Sequence, residues 1–178
     1  MDKIFIYNIL IGITTSVTGS FIFLIFILIF LRPRIKISNN IACYFENGIK
    51  IYRFKIMNTS LYTGYDVSLS LRSLREIPSE PFGKDVFPSE LILGTSNFTN
   101  IHPWRPSFMC KNYAHHCIQV KTIEDIENIL NSDNYSLQLQ VTLRHGLTGL
   151  SKSFIANYST VKRILDGQFE FGNSFDII

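Results

Sequence analysis

The hydrophobic pattern of the chain changes once, and abruptly. From Ile4 to Leu31 no side chain carries a formal charge, and residues 21–31 are all Phe, Ile or Leu. A helix needs roughly 20 apolar residues to cross about 30 Å of hydrocarbon, so this stretch is long enough to span with some tilt. A cleavable signal would have a charged start, a shorter apolar run of about 7–15 residues and a small-x-small site. Here the run passes directly into Arg32, Pro33, Arg34 and Lys36, with no such site before them. The pattern predicts a transmembrane helix over 1–31 and a second domain over 32–178. Arg32, Arg34 and Lys36 outweigh Lys3 and Asp2, so the positive-inside rule expects the N-terminus outside and the C-terminal domain in the cytoplasm.

After the anchor the period becomes two. Ile49–Met57 alternates Tyr52, Phe54 and Ile56 with Arg53 and Lys55, which predicts a strand entered through an Asn47-Gly48 hairpin turn. Val67, Leu69 and Leu71 alternate with Ser68, Ser70 and Arg72 in a second strand over 65–74. Residues 77–108 hold every proline except Pro33 and read as loop with short strands, one near Glu90–Leu93. His116–Lys121 reads as a strand. Thr122–Leu130 reads as a helix capped by Thr122, with Ile123, Ile126, Ile129 and Leu130 on one face. Leu137, Leu139, Val141 and Leu143 mark the most regular strand, 135–143, and a final strand falls near Ser151–Tyr158. Many short strands with one helix predict a mainly β domain, an immunoglobulin-like β-sandwich.

Composition narrows the chemistry. About 145 residues beyond the anchor suffice for one core and are too few for two. The net charge of +3 is too small to mark a nucleic-acid binder by itself. Three cysteines cannot all pair within one chain, and Cys110, His115, His116 and Cys117 match no common zinc spacing. No nucleophile-base order, phosphate loop or paired carboxylates appear, and Glu124 and Asp125 sit where a helix start favours acids. The expectation is a non-enzyme without cofactor or metal.

The order of motifs resembles the cytoplasmic domain of inward-rectifier potassium channels. The likeness rests on Arg32-Pro33-Arg34 after the helix, Ile41-Ala42, Asn47-Gly48-Ile49-Lys50, Tyr52–Ile56 with Asn58, and the alternating Val67, Leu69 and Leu71. A later block adds Thr148-Gly149, Tyr158-Ser159, Ile164, Gly167 and Phe169. The resemblance implies a sandwich that assembles as a homotetramer beneath a membrane helix. It does not imply potassium selectivity, because this chain has one membrane helix and no re-entrant filter; Thr63-Gly64-Tyr65-Asp66 imitates part of a filter but falls between two predicted strands, as a turn.

In a ring of helices, Asn8, Gly12, Thr15 and Gly19, followed by Phe23, Phe26 and Phe30, share one face at three-and-four spacing. That face would give a pore with a polar outer half and a phenylalanine constriction that gates by dewetting. Equally, the glycines could serve close packing and the phenylalanines meet lipid. Arg32, Arg34 and Lys36 read as topology determinants or as contacts to anionic membrane lipid. The whole chain also resembles the small membrane effector of Hailong-type bacterial antiphage systems. That likeness implies an inner-membrane pore, a nucleotide or short single-stranded DNA ligand, and a partner nucleotidyltransferase encoded nearby. Candidate ligand residues are Arg53, Lys55, Trp104, Arg105, Arg144 and Lys152, since phosphate favours Arg or Lys and bases stack on aromatic rings. A cyclic-nucleotide-activated effector and a tethered interaction module without a pore stand as alternatives.

Overall fold

In the computed structural model the change of pattern near residue 32 is the boundary between two units, Met1–Arg32 and Pro33–Ile178. The described residues are 3–30, 33–79, 81, 83–109 and 114–178, of which 3, 28–30 and 107 are described by backbone alone. Asp2, Arg32, Cys110 and the side chains of Lys3 and Phe30 therefore lie outside the description.

The first unit is one helix, α1 (Lys3–Phe30). Its segment Ile4–Ile27 is long and apolar enough to cross a membrane. Every side chain from Ile4 to Phe26 is exposed within the chain. A largely apolar helix with every face exposed within its chain finds its cover in lipid or in other helices.

The second unit is a two-sheet β-sandwich, the mainly β fold expected. Its strands are β1 (Ile35–Ile37), β2 (Ile41–Glu46), β3 (Ile49–Asn58), β4 (Gly64–Ser79), β5 (Gly83–Leu91), β6 (Asn97–Ile101), β7 (Cys117–Thr122), β8 (Tyr135–His145), β9 (Ser151–Tyr158) and β10 (Ile164–Asp166), with a short helix α2 (Ile126–Asn131). One sheet is built on β3. Its one edge pairs with β7, and its other edge pairs first with β2 and then with β1. Thus β1 and β2 are one edge broken at residues 38–40, with β10 added in parallel beyond β2. The other sheet is built on β4, which pairs with β8 from Gly64 to Arg75 and on its far edge with β6 and then β5. β9 closes that sheet beside β8.

The hairpin between β2 and β3 turns where expected. Asn47 and Gly48 both have positive φ, 53° and 80°, the geometry whose twist suits a two-residue hairpin. Tyr52, Phe54 and Ile56 face inward from β3, and Leu137, Leu139, Val141 and Leu143 from β8, forming one buried cluster with Val67, Leu69 and Leu71.

Three local expectations need correction. Residues 77–108 are mostly strand: β4 continues to Ser79 and returns in β5 with an unbroken register from Leu71↔Leu91 to Ser79↔Gly83. Pro78 and Pro88 survive there because neither has a partner strand on both sides: Pro78 is at the end of β4 that runs beyond the reach of β8, and β5 is an edge. The helix begins later than expected, at Ile126, with Asp125 as its cap accepting from the Asn128 amide at 3.1 Å. Thr122 instead ends β7, and its hydroxyl donates to the Ile92 carbonyl at 2.6 Å. Finally, Gly64-Tyr65-Asp66 opens β4, with a break in register between Tyr65 and Ser68 and Asp66 at φ 51°, so it is a bulged strand start and not a turn.

The C-terminal residues fold back on themselves. Gln168 and Ile178 exchange backbone hydrogen bonds at 2.8 and 2.9 Å, and Glu170 donates to Asp176 at 2.8 Å. Gly167 enters this segment at φ 128°, and a Cβ there would stand 2.5 Å from the Ile178 carbonyl oxygen. Gly167→Ala should therefore destabilise the sandwich by about 1–3 kcal/mol, read as a lowered Tm of the full chain in detergent; an unchanged Tm would show that the segment yields freely.

Candidate functional site

On α1, Asn8, Thr15, Gly19, Phe23 and Phe26 lie within the membrane-long segment. Thr15 satisfies its hydroxyl inside the helix, on the Ile11 and Gly12 carbonyls at 2.9 and 3.0 Å, and Thr14 does the same on Leu10 at 2.8 Å. The Asn8 side chain makes no hydrogen bond among the described residues. Phe23 and Phe26 are 65% and 52% exposed within the chain.

The sandwich disperses the basic residues picked out by sequence. Arg53 lies with its guanidinium 4.5 Å from the Tyr44 ring, beside a groove it shares with Lys121 and Gln119. Arg144 pairs with Asp66 at 2.7 Å. Lys152 sits 4.9 Å from the Phe154 ring. Register places Lys152 opposite Leu143 and Arg144 opposite Ser151, so these two cations point to opposite faces of one sheet.

Lys55 has a different role from the one its sequence position suggests. It is 1% exposed, and its ammonium donates to the backbone carbonyls of Glu170 and Ser174, both at 2.6 Å. The alternation that sends Phe54 and Ile56 into the core sends Lys55 to the outer face of its sheet, and the C-terminal segment covers it there. Burial pushes its pKa down, against the weaker upward pull of Cys117, Glu170 and Asp176. Lys55 is a buried tie and not a surface cation.

Trp104 lines a cleft of about 640 Å³, which it shares with Lys36. Four separate segments meet there. The strand β1 and the break after it bring Lys36, Asn39 and Asn40; the turn after β3 brings Thr59; the loop after β6 brings Trp104; the C-terminal segment brings Phe175 and Asp176. Buried Asn58 fixes the loop and the turn together, donating to the carbonyls of Tyr62 and His102 at 2.9 Å and accepting from the Ser60 amide at 2.9 Å. The Trp104 amide in turn donates to Ser60 at 2.9 Å. Asn173 joins the C-terminal segment to the same loop through Arg105, whose carbonyl accepts from its amide at 3.0 Å, and its Oδ1 meets His116 Nε2. Arg105 thus contributes a backbone contact here. Arg34 is exposed, while its carbonyl accepts from both the amide and the hydroxyl of Thr59.

Sequence reasoning placed Lys36 at a membrane edge and did not single out Asn39, Asn40, Phe175 or Asp176. No periodicity or spacing links residues 36 and 176; only the fold does. Cys43 is buried and free, and burial raises its thiol pKa, which suits a core residue and not a nucleophile. Among the described residues no cluster of His, Cys, Asp and Glu is disposed to hold a metal ion.

No family model matches the chain, and no curated protein matches it. Among solved structures it is similar to Spo0M, a sporulation control protein from Bacillus subtilis, with 11% sequence identity, a TM-score of 0.38 and coverage of 71% of this chain. The match takes in 48% of the Spo0M chain, about half of its length.

Proposed function

We propose that this chain is a single-span subunit of a homotetrameric ion-conducting pore. In this reading a nucleotide or short oligonucleotide binds the cytoplasmic sandwich and controls the pore, which acts in bacterial antiphage defence by depolarising the inner membrane. The observation that carries the self-association is Asn8. Its amide has no hydrogen bond among the described residues, although it lies in a segment apolar enough to be surrounded by hydrocarbon. An unmet amide in an apolar medium costs several kcal/mol, and another helix can meet it. Asn8 shares its face with Gly12, Thr15 and Gly19, which permit close approach of helices at three-and-four spacing.

Two measurements bear on this reading. Native mass spectrometry of the full chain in detergent should show a tetramer, and Asn8→Leu should shift it toward smaller species; monomer and dimer alone would contradict the assembly. A cysteine at position 2 of a Cys-free variant should label from outside the cell, because the basic flank follows the helix. Labelling only from inside would invert the topology.

A further inference from the structure

The cleft around Trp104 combines groups that one class of ligand would use together. Lys36 and Asp176 both line it, yet they form no ion pair with each other. Among the described residues Lys36 has no side-chain partner, and the Asp176 carboxylate accepts only from the Ser174 hydroxyl, at 2.5 Å. The amides of Asn39 and Asn40 are likewise without side-chain hydrogen bonds. Trp104, 39% exposed, and the half-buried Phe175 supply aromatic surface.

Each group excludes part of the field. A bare polyanion would be repelled by Asp176, and a purely apolar ligand would leave two amides and two charges unpaired. An aromatic heterocycle that bears amine hydrogens and carries a phosphate meets all of them. From this juxtaposition we propose that the cleft is a nucleotide site, with the base on Trp104, its amine-bearing edge toward Asp176 and the Asn39 and Asn40 amides, and its phosphate on Lys36. The assignment rests on the ligand-controlled reading above and names the place and chemistry of that control. The walls are set before any ligand arrives, because Asn58 holds the Trp104 loop and Lys55 holds the Phe175 segment through Ser174. Such pre-organisation lowers the ordering cost of binding.

Trp104 is the sole tryptophan of the chain, so its fluorescence reports on this cleft alone. The test is titration of the full chain in lipid nanodiscs with AMP, CMP, GMP and UMP, with inorganic phosphate and phosphoethanolamine as controls, followed by fluorescence and calorimetry. The expected result is saturable binding that favours bases with an exocyclic amine. Affinity should fall about tenfold or more in Trp104→Ala, recover in Trp104→Phe, and lose salt dependence in Lys36→Gln. Asp176→Asn should weaken the preference for aminated bases. Circular dichroism of each variant, matched to the parent, establishes that the fold is kept. Nucleotide binding by calorimetry that is unchanged in all these variants would overturn this site while leaving nucleotide control intact. Equal affinity for inorganic phosphate or phosphoethanolamine would overturn the base-recognition chemistry; no binding of any of the four mononucleotides would overturn the site, and no binding of a short deoxyadenylate oligomer either would remove the nucleotide reading with it.

Discussion

Lys55→Ala should destabilise the sandwich by about 3 kcal/mol, since it removes a buried four-carbon stem and leaves two carbonyls without a donor. Those carbonyls belong to Glu170 and Ser174, so the C-terminal segment should loosen first. Urea unfolding of the full chain in detergent, followed by Trp104 fluorescence, measures the loss. A pH series adds a second expectation. Burial lowers the pKa of Lys55 in the folded state, so between that value and the ordinary lysine value the unfolded chain binds the extra proton. Stability from this group then rises with pH, and the ammonium form bears its full desolvation cost only below the folded value. Cys43, Tyr52 and Tyr158 act oppositely: burial raises each, so the fold loses stability once the unfolded thiol and phenols ionise. Because these are shared by both proteins, the stability gap between parent and Lys55→Ala should widen as pH rises through the alkaline range. A gap that stays constant would mean that Lys55 is solvated.

Phe26→Ser should raise the resting ion leak by roughly tenfold or more, because a dewetted ring of phenyl groups blocks ions by excluding water and serine readmits it. Phe23→Ser should act in the same direction. The polar outer half, with Asn8 and Thr15, leaves the narrowing on the cytoplasmic side of the helix in the proposed topology. If the rings simply face lipid, serine at Phe23, Phe26 and Phe30 would leave conductance and toxicity unchanged, and the gate would have to lie on another face.

The strands that were legible in sequence are those where one face is buried and the other is not. In β8 the alternation of Leu137, Leu139, Val141 and Leu143 with polar residues follows directly from pairing with β4 on one side and β9 on the other. The stretch 77–108 was illegible for the complementary reason. β5 is exposed along almost its whole length, so no hydrophobic period marks it, and its proline and charge suit an edge strand as well as a loop. β1 and β10 have three residues each, too short for any period. Lys55 shows a different limit: alternation correctly placed it on the outer face, but the cover over that face comes from residues more than a hundred positions away. The Trp104 cleft is of the same kind, made of segments that only the fold brings together.

Ion flux from the purified full chain in liposomes decides whether four copies of this one helix conduct ions under nucleotide control. The expected flux is absent from empty vesicles, rises in Phe26→Ser and changes on addition of a nucleotide that binds the sandwich. Vesicles that hold the inserted protein at high density and stay sealed, in the parent and in Phe26→Ser, with nucleotide and without it, would contradict it.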